Sequence, residues 1–478
     1  MTKNKKDMEV YSPNDFEPEN HFYTKVLNAQ LHPLVSFFYH LDNERIAQRY
    51  CHLNPQVSPE ALKNLLTYKT KRFHWGGSDL FYTTTKSGNR KVVVIETNSC
   101  PSGQKSMPLR DENIEQGGYH LLMTECFKRV LEEKASVEGV LAVIYDKNHM
   151  EASGYAATMA DVFNEKVYLV PLHRNLEEEC SKFEDGVLKI KVENEWTPVR
   201  GALRYVTQRP WNRIPLVSKT VILNPVIACL AGGRNKLVAS KAYELFNAQY
   251  AEHGLAIQFP ETVKDLNKEE TKLWVERFDY LAVIKVPYSN AGQGVYTISN
   301  KEEFDDFLKI DFPYEQFIVQ SLIAPRDWYP DLTDNKYFHV GTFPNKRGEI
   351  FVADLRMMIV NRPDKGFCPV ATYARKAKAP LTSALPSDSW DMLGTNLSIK
   401  IGEDQWDSDS KRLMLMDRRD FNTLGMGLDD LIEGYIQTVL SIVSIDKLCA
   451  KLLSDDKFNH ELFASLNNDR ALLEELYN

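Results

Sequence analysis

The sequence lacks the features of secreted, disulfide-bonded and membrane-spanning proteins. Its seven cysteines are scattered, with an odd total and no CxxC pair, and its histidines show no HExxH spacing. These absences argue against a disulfide framework and against a zinc site. The longest apolar stretches, Thr220–Gly233 and Thr438–Ile445, are shorter than the ~20 residues that span a bilayer. Because the first residues are polar and unlike a signal peptide, we expect a soluble, cytoplasmic protein with no membrane partner.

Positive charge is also in short supply. The net charge is −8, whereas a general nucleic-acid binder needs clustered lysines and arginines. We therefore expect no nucleic-acid partner, although one local basic pocket is compatible with this charge. Hydrophobic content of 43% and charged content of 26% are ordinary for a globular enzyme. A length of 478 residues predicts more than one structural unit, at ~150 residues per domain.

No internal repeat or low-complexity run divides the chain, so its organisation is read from local patterns. Residues 20–68 are predicted to be helical, with Ser58 as an N-cap. The runs DLFYTT and KVVVIET, joined by KSGNR, predict a β-hairpin. From Gly139 strands and helices alternate, which favours a parallel α/β unit, and the residues after Gly427 are again predicted to be helical. The predicted class is α/β with α+β elements.

An apolar strand ending at Lys285 leads into a loop of small residues. The lysine ammonium can reach a phosphate as a point charge, and the backbone amides of such a loop can approach phosphate oxygens closely. A surface hairpin with a flexible tip and a solvent-reaching lysine explains the same pattern, and the motif alone does not decide. The loop consists of Ser289, Asn290, Ala291, Gly292, Gln293 and Gly294.

Two segments on either side of this loop also have a nucleotide interpretation. Lys236 lies near the start of a predicted helix, where a lysine opposes the helix dipole unless an anion is nearby. Downstream, the end of an apolar strand can present backbone groups to an adenine, and Asp327 beyond it can accept ribose hydroxyls. Taken alone, a solvated lysine and a core strand are the simpler interpretations. The strand end consists of Gln320, Ser321, Leu322 and Ile323.

Charged residues recur on a later strand. Because side chains alternate along a strand, Asp354 and Arg356 in ADLRMMIV share one face, and Arg375 follows in the next segment. Arginines at such a place can neutralise a transferring phosphoryl group. An ion pair at the sheet surface accounts for them equally well.

The early hairpin supplies acidic and amide oxygens. Glu96 and Asn98 are two positions apart and face the same way, and Asp79 returns beside them across the hairpin. Oxygen ligands grouped on one wall suit Mg²⁺. A solvent-facing polar side is the alternative, and it is weakened by the VVVI run, which places Glu96 at the end of a buried strand. Cys100 is predicted to be a packing residue, and His339 a structural one.

Taken in order, these motifs resemble the ATP-grasp superfamily. NPVIACLAGGRNK, IKVPYSNAGQGV, FIVQSLI and DLR resemble its ATP-binding run, and IETNSCPSG resembles its metal motif. In this sequence the metal motif comes first. That order is similar to the circularly permuted ATP-grasp proteins and to the broader glutathionylspermidine-synthetase-like group. The resemblance extends from Phe73 to Pro380.

The resemblance implies an ATP-grasp fold of circularly permuted order, with a preceding Rossmann-like α/β domain and helical terminal segments. The implied divisions are an N-terminal helical segment at 1–66, the permuted metal-binding part at 67–135, the pre-ATP-grasp α/β domain at 136–223, the ATP-binding subdomains at 224–426 and a C-terminal helical segment at 427–478.

The resemblance also implies ATP and Mg²⁺, as one or two ions, and a role for each matching residue. The phosphates of ATP would contact Lys236 and Lys285, with the Ser289–Gly294 loop closing over them. Adenine would meet Gln320–Ile323, and the ribose Asp327. The implied metal ligands are Asp79, Glu96 and Asn98. The implied contacts of the transferred phosphoryl group are Arg356 and Arg375, and those of the substrate are Ser102, Gly103 and Arg204.

The function implied is that of an ADP-forming carboxylate–amine ligase, in which an acyl phosphate reacts with an amine to give an amide or peptide bond. Its partners would be small-molecule or peptide carboxylates and amines, and the sequence leaves the oligomeric state open. A phosphotransferase that passes phosphate to an alcohol or acid is one alternative. A nucleotide-binding regulatory protein without turnover is the other.

Overall fold

The computed structural model describes residues 7–172, 180–206, 211–289, 292, 294–329, 336–386, 388–400 and 406–477. Within these ranges the protein is a mixed α/β structure with three large sheets, which confirms the predicted class. All seven cysteines lie in the described ranges and are free thiols. Among the described helices, none has the length and hydropathy required to cross a bilayer.

Strands and helices are numbered in chain order. The strands are β1 (Glu9–Tyr11), β2 (Trp75–Thr84), β3 (Arg90–Asn98), β4 (Val140–Tyr145), β5 (Val167–Pro171), β6 (Ser181–Glu184), β7 (Val187–Val192), β8 (Glu195–Tyr205), β9 (Val221–Leu223), β10 (Thr262–Leu266), β11 (Ala282–Lys285), β12 (Val295–Ile298), β13 (Phe317–Ser321), β14 (Phe338–His339), β15 (Ala353–Arg362), β16 (Gly366–Lys376), β17 (Ser398–Lys400), β18 (Trp406–Ser408), β19 (Leu413–Met414), β20 (Leu453–Ser454) and β21 (Lys457–Phe458).

The helices are α1 (Pro18–His21), α2 (Thr24–Leu27), α3 (Pro33–Tyr39), α4 (Asn43–Leu53), α5 (Pro59–Leu66), α6 (Gly118–Leu122), α7 (Lys128–Lys134), α8 (His149–Phe163), α9 (Val226–Ala228), α10 (Lys236–Tyr250), α11 (Thr271–Arg277), α12 (Lys301–Leu308), α13 (Trp390–Leu393), α14 (Arg418–Leu424), α15 (Leu428–Leu452), α16 (His460–Leu466) and α17 (Arg470–Tyr477). The N-cap predicted at Ser58 is confirmed, because its hydroxyl accepts a hydrogen bond from the amide of Ala61.

The first sheet has seven strands in the order β1-β5-β4-β8-β7-β6, with β9 beside β8. Strands β5, β4, β8 and β9 run parallel to one another, and α8 packs on β4 and β5. The alternation of strand and helix after Gly139 therefore does form a parallel α/β unit. The antiparallel hairpin of β6 and β7 turns at Asp185 and Gly186, whose φ angles of 52° and 78° suit a tight two-residue turn.

The second sheet has four antiparallel strands in the order β10-β13-β11-β12. Helices α11 and α12 pack against it. Phenylalanines fill the space between α12 and the sheet, including Phe304 and Phe307, which face inward from one side of the helix. The apolar side of α12 therefore covers one face of the sheet. The other face lines the cavity described below.

The third sheet joins residues from opposite parts of the chain. The β2–β3 hairpin pairs antiparallel with β15, which in turn pairs with β16, and β14 and β19 complete the six strands. Asp79 on β2 lies directly opposite Glu96 on β3 and Arg356 on β15. The early acidic hairpin and the later arginine strands thus form one surface.

Helix α15 supports the third sheet from behind. It is buried along most of its 25 residues and packs on β2, β3 and β15. The same helix also contacts α3, α4 and α5, so the two predicted helical segments pack together. Its hydroxyl side chains bond to backbone carbonyls of the preceding turn, as Thr438 does with Gly434, which satisfies these polar groups inside the core.

Asn224 ties the start of β2 and the end of β3 to the first sheet. Its Nδ2 donates to the carbonyl oxygens of Trp75 at 2.6 Å and Ser99 at 2.7 Å. Its Oδ1 accepts from the amide of His74 at 2.9 Å. Because Asn224 is fully buried and follows β9 directly, these hydrogen bonds have no competition from water and fix the position of the hairpin.

We predict that Asn224→Ala lowers the free energy of unfolding by about 2–4 kcal/mol, because it leaves several buried backbone groups without partners. Urea denaturation measures this change. Asn89→Ala is the control, since Asn89 is exposed in the hairpin turn. Equal destabilisation by the two substitutions would contradict the role given to Asn224.

Candidate functional site

One cavity lies between the third sheet and the second, and its charge is opposite to that of the whole chain. Seven cationic and three acidic side chains line it among the described residues, although the net charge of the protein is −8. Such a concentration of cations favours an anionic ligand. The charged lining residues are Asp79, Glu96, Lys105, Lys147, Arg234, Lys236, Lys285, Asp354, Arg356 and Arg375.

A row of polar side chains crosses four strands of the third sheet. Glu96, Asp79, Arg356 and Tyr373 are successive cross-strand partners on β3, β2, β15 and β16. Directly opposite residues of antiparallel strands project from the same face, and all four line the cavity. Arg356 donates to Asp79 in a bidentate pair, with Nε–Oδ1 at 2.6 Å and Nη2–Oδ2 at 2.7 Å.

Arg375 lies on β16 two residues after Tyr373 and also binds Asp79. It pairs with Asp354 directly across the strands, and its Nη2 lies 2.9 Å from Asp79 Oδ2. Burial would raise the pKa of Asp79, but Arg356 and Arg375 outweigh it and hold that pKa below its usual range. The arginines do form the ion pairs considered from the sequence, but in buried positions on the cavity wall rather than at the surface.

Two lysines approach the acidic end of this row. Lys285 is the last residue of β11, and its Nζ donates to the carbonyl oxygen of Ile95 at 3.3 Å. Ile95 is the extra residue of a β-bulge, at which the pairing of β2 with β3 shifts by one position. Lys236 is the first residue of α10, and its Nζ donates to the Ser289 carbonyl at 2.6 Å and lies 3.4 Å from Glu96 Oε1. Neither lysine extends from a solvated face, since both are buried.

Burial lowers the pKa of Lys285 to about 8. The nearby ammonium of Lys236 adds to this lowering, whereas Glu96 and Asp79 oppose it. A lysine in this state gains charge when a second anion arrives, because the anion stabilises the ammonium form. The end of β11 is therefore prepared for an anionic ligand.

The predicted small-residue loop connects β11 and β12. Gly292 and Gly294 have φ angles of 77° and 66°, a region that favours glycine, and Gly292 lines the cavity. The amide of Val286 donates to the Gly294 carbonyl at 2.7 Å and closes the hairpin. Ser289 uses its hydroxyl to bond the Val286 carbonyl. Asn290 and Gln293 lie outside the described residues.

An apolar compartment of the same cavity lies farther along the second sheet, on the face that also carries Lys285. Val283 and Val295 line it from β11 and β12, opposite Phe81 of the third sheet. His339 packs edge-on against Phe81 at 4.7 Å, and burial lowers its pKa to about 3, so the ring is neutral. The predicted adenine segment lines the same space with Gln320, Ser321, Leu322 and Ile323.

Asp327 is not brought to this compartment. It is exposed on the 3₁₀ turn Arg326–Trp328 and does not line the cavity. The turn directs its acidic residue away because Trp328 is the one that packs inward. The predicted ribose contact therefore has no geometric support.

Glu96 and Asn98 are the residues with oxygens left to hold a cation. Asp79, the third predicted metal ligand, shares their face but has both carboxylate oxygens engaged by arginines. Asn98 is buried, and its Nδ2 has no hydrogen-bond partner within the described ranges. Those ranges hold no cluster of three or more histidine, cysteine, aspartate or glutamate side chains suited to a metal. The residues thus fit a magnesium ion held partly by phosphate oxygens.

The predicted substrate segment forms the next part of the wall. Ser102 lines the cavity, and its carbonyl accepts from Arg356 Nη1 at 3.2 Å and from the Tyr373 hydroxyl at 2.8 Å. Glu151 of α8 holds the segment from behind, accepting from the Ser102 hydroxyl and the Gly103 amide, both at 2.7 Å. Gly103 does not line the cavity, and a Cβ there would lie 2.4 Å from the Tyr373 ring.

Arg204 differs from its predicted position in the substrate cleft. It is fully buried, with Nε donating to the Asn224 carbonyl at 2.7 Å and Nη2 to the Ser99 hydroxyl at 3.2 Å. The reason lies in the sheet, because β8 has β4 on one side and β9 on the other. A side chain at the end of such a central strand meets the neighbouring strand ends before it reaches solvent.

Several lining residues were missed in the sequence. Lys147 follows β4 closely. Ligands of α/β sheets bind at the carboxyl ends of parallel strands, so the position of Lys147 after a predicted strand could have identified it. Arg234 lies inside the GGRNK segment already singled out. Lys105 and Tyr373 carry no local signal, since only the packing of distant segments places them at the cavity.

Comparisons with known proteins complete this description. No protein-family profile and no curated protein sequence matches the chain. Among solved structures, a glutathione synthetase-like effector from Globodera pallida is similar over 72% of this chain and 81% of its own, with 10% identity and a TM-score of 0.37. An ATP-grasp protein with a RimK domain from Sphaerobacter thermophilus is similar over 48% of this chain and 89% of its own, with 12% identity and a TM-score of 0.29.

We predict that Asp79→Asn lowers the free energy of unfolding by about 3–5 kcal/mol, because it leaves two buried arginines without their shared carboxylate. Urea denaturation is again the measurement. The control is Asp391→Asn, which removes a pair with Lys378 between exposed side chains and should cost about 0–1 kcal/mol. Comparable losses in both variants would show that the Asp79 pairs are not the buried network described.

Proposed function

We propose that this protein is an ATP-grasp enzyme, an ADP-forming ligase that joins a carboxylate to an amine. The observation that carries the proposal is the row of Glu96, Asp79, Arg356 and Tyr373 on one sheet, with Lys236 and Lys285 at its acidic end. A nucleophilic hydroxyl–histidine or thiol–histidine pair is not required for such a reaction. Positioning and charge neutralisation supply most of the catalysis.

The apolar compartment supports the placement of ATP. Val283 and Val295 offer a flat apolar surface to adenine, and neutral His339 avoids a charge near the base. From there the phosphates would run toward Lys285 and Lys236 under the loop that contains Gly292. Backbone amides of a glycine loop and buried ammonium groups are suited to phosphate oxygens.

In the proposed reaction an oxygen of the substrate carboxylate attacks the γ-phosphorus, and the bond to ADP breaks. The amine nitrogen then attacks the acyl carbon, inorganic phosphate leaves, and the amine proton passes to a base or to water. Arg356 and Arg375 would stabilise the charge on the transferring group. Their existing pairs with Asp79 and Asp354 fix the direction of both guanidinium groups.

Magnesium would be held by Glu96 and Asn98 together with phosphate oxygens, and it would neutralise phosphate charge when bound. The arrangement of Asp79 suits a second task. Asp79 holds Arg356 in a bidentate pair. It would thereby orient the guanidinium group toward the cavity and would not itself be a metal ligand. The proposed metal ligands are therefore two protein residues, whereas the sequence predicted three.

We predict that Glu96→Gln abolishes detectable ADP and phosphate release, because it removes the negative charge of the proposed magnesium ligands and leaves two neutral amides. Release from Mg-ATP is measured with pooled acids, amines and small peptides, and mass spectrometry identifies the product. An amide product with free phosphate is the expected result. A stable phosphorylated product would instead identify a phosphotransferase, and ATP binding without release across all pools would favour a regulatory protein.

Glu165→Gln is the matched control for this prediction. Glu165 pairs with Arg200 and does not line the cavity, so its variant should turn over as the wild type does. A Glu96→Gln variant that keeps most of its activity would remove Glu96 from the metal site. Circular dichroism of both variants tests whether the fold is retained.

We predict that the affinity for a non-hydrolysable ATP analogue is highest below pH 8 and falls as the pH rises above it. The free-state pKa of Lys285 is about 8, bound phosphates raise it, and binding therefore takes up a proton. Calorimetry between pH 7 and pH 9.5 measures this dependence. Lys285→Met should bind about ten-fold or more weakly and lose the pH step, whereas Lys285→Arg should bind without it. The same pH step in Lys285→Met would refute the assignment.

A further inference from the structure

We infer that the cavity end formed by Lys105, Lys147 and Arg234 binds carboxylate groups, so that the substrate is a small acid with anionic groups beyond the reacting carboxylate. This inference rests on the proposed ligase function and names the substrate class of the same site. The three residues are called the acceptor end below. Lys105 belongs to the segment from Cys100 to Ser106, and Lys147 and Arg234 lie beside that segment, whose Ser102 carbonyl accepts from Arg356.

Lys105 gives the strongest support for an anion site. The residue is only 6% exposed, lines the cavity, and has no acceptor for its ammonium within hydrogen-bonding distance among the residues that the structure describes. Its Nζ lies over the Tyr23 ring, 5.1 Å from the ring centroid. A side chain this buried that lines a cavity without a protein acceptor for its ammonium is stabilised when an anion binds in that cavity.

Lys147 and Arg234 converge on the same segment from two other elements. Lys147 Nζ lies 3.3 Å from the Cys100 carbonyl oxygen, and Arg234 Nη2 lies 3.5 Å from it. Both side chains also line the cavity. Both also contact the Cys100 sulfur, Arg234 Nη2 at 3.4 Å and Lys147 Nζ at 3.8 Å, and their position on the cavity wall lets them contact a ligand as well.

Burial and the charge of Arg234 lower the pKa of Lys147 to about 8. The contribution of Arg234 has the sign expected where two cations lie close together.

No carboxylate lines the acceptor end within the described part of the chain, since the acidic lining residues all belong to the third sheet. Glu151 lies behind the segment and is satisfied by the amides of Gly103 and Gln104 and the Ser102 hydroxyl. Asp146, beside Lys147, pairs with Arg213 at 2.9 Å. A polyamine or any other cation would therefore meet three cations and no carboxylate among the described residues of this end.

Neutral donors complete the acceptor end. Ser106 lines the cavity beside Lys105, and the Asn148 amide bonds the Ser102 hydroxyl at 3.1 Å. Ammonium, guanidinium and hydroxyl donors grouped in this way match the acceptor-only oxygens of carboxylates. Three cations from separate elements suit a compact di- or tricarboxylic acid, including an acidic amino acid.

The test is calorimetric titration of the full-length protein, saturated with magnesium and a non-hydrolysable ATP analogue. The probes are succinate, citrate and L-glutamate, each compared with succinamide and spermidine. We expect at least one acid to bind more tightly than both comparison compounds. Lys105→Met should lower the affinity for that acid by about ten-fold or more and leave the affinity for the ATP analogue unchanged.

Lys128→Met is the matched control, because Lys128 lies over the Phe163 ring in the same way but outside the cavity. Lys105→Arg keeps the charge and should keep binding. The inference is overturned if no acid binds more tightly than succinamide, if spermidine binds best, or if Lys105→Met binds acids like the wild type. Acid binding without any binding of the ATP analogue would refute the ligase proposal while retaining the anion site.

Discussion

The wall of the cavity depends on one carboxylate. Asp79 pairs with both Arg356 and Arg375, and its partner Arg356 is 277 positions away in the sequence. Removing such ions from water costs several kcal/mol each, and bidentate geometry is what offsets this cost. The pairs can form only when β2 lies beside β15. The charged row and the third sheet therefore require each other, and the site is complete only in the folded long-range structure.

The same constraint explains the state of the lysines. Asp79 is engaged by arginines, so Glu96 is the remaining carboxylate near Lys236 and Lys285. Burial then dominates, and the pKa of Lys285 falls to about 8. Buried cations that outnumber the nearby acids lower the stability of the folded protein. Binding of an anion stabilises these cations and so raises the stability again. Preorganised charge of this kind is a common property of sites that act on phosphoryl groups.

Local rules predicted the parts of the site that lie within one element. The alternation of a strand placed Glu96 and Asn98 on one face, and the start of a helical pattern placed Lys236 near a helix N-terminus. Arg204 could not be placed in this way, because its surroundings depend on how β8, β9 and β3 meet. Lys105 was missed for the same reason, since a lysine in a polar turn has no pattern that separates a solvated position from a buried one.

Two anions must lie side by side for a carboxylate to attack a phosphate, and their repulsion opposes the reaction. In a medium of reduced dielectric this repulsion is large at the distances of bond formation. The described part of the cavity wall has seven cations against three carboxylates, and this excess offsets the repulsion better than a neutral site would. The cations also divide between two ends, with Lys285 at one and Lys105 at the other, joined through Arg356 and the carbonyl of Ser102. The excess of positive charge thus follows from the chemistry proposed, because each end must hold an anion while the other is occupied.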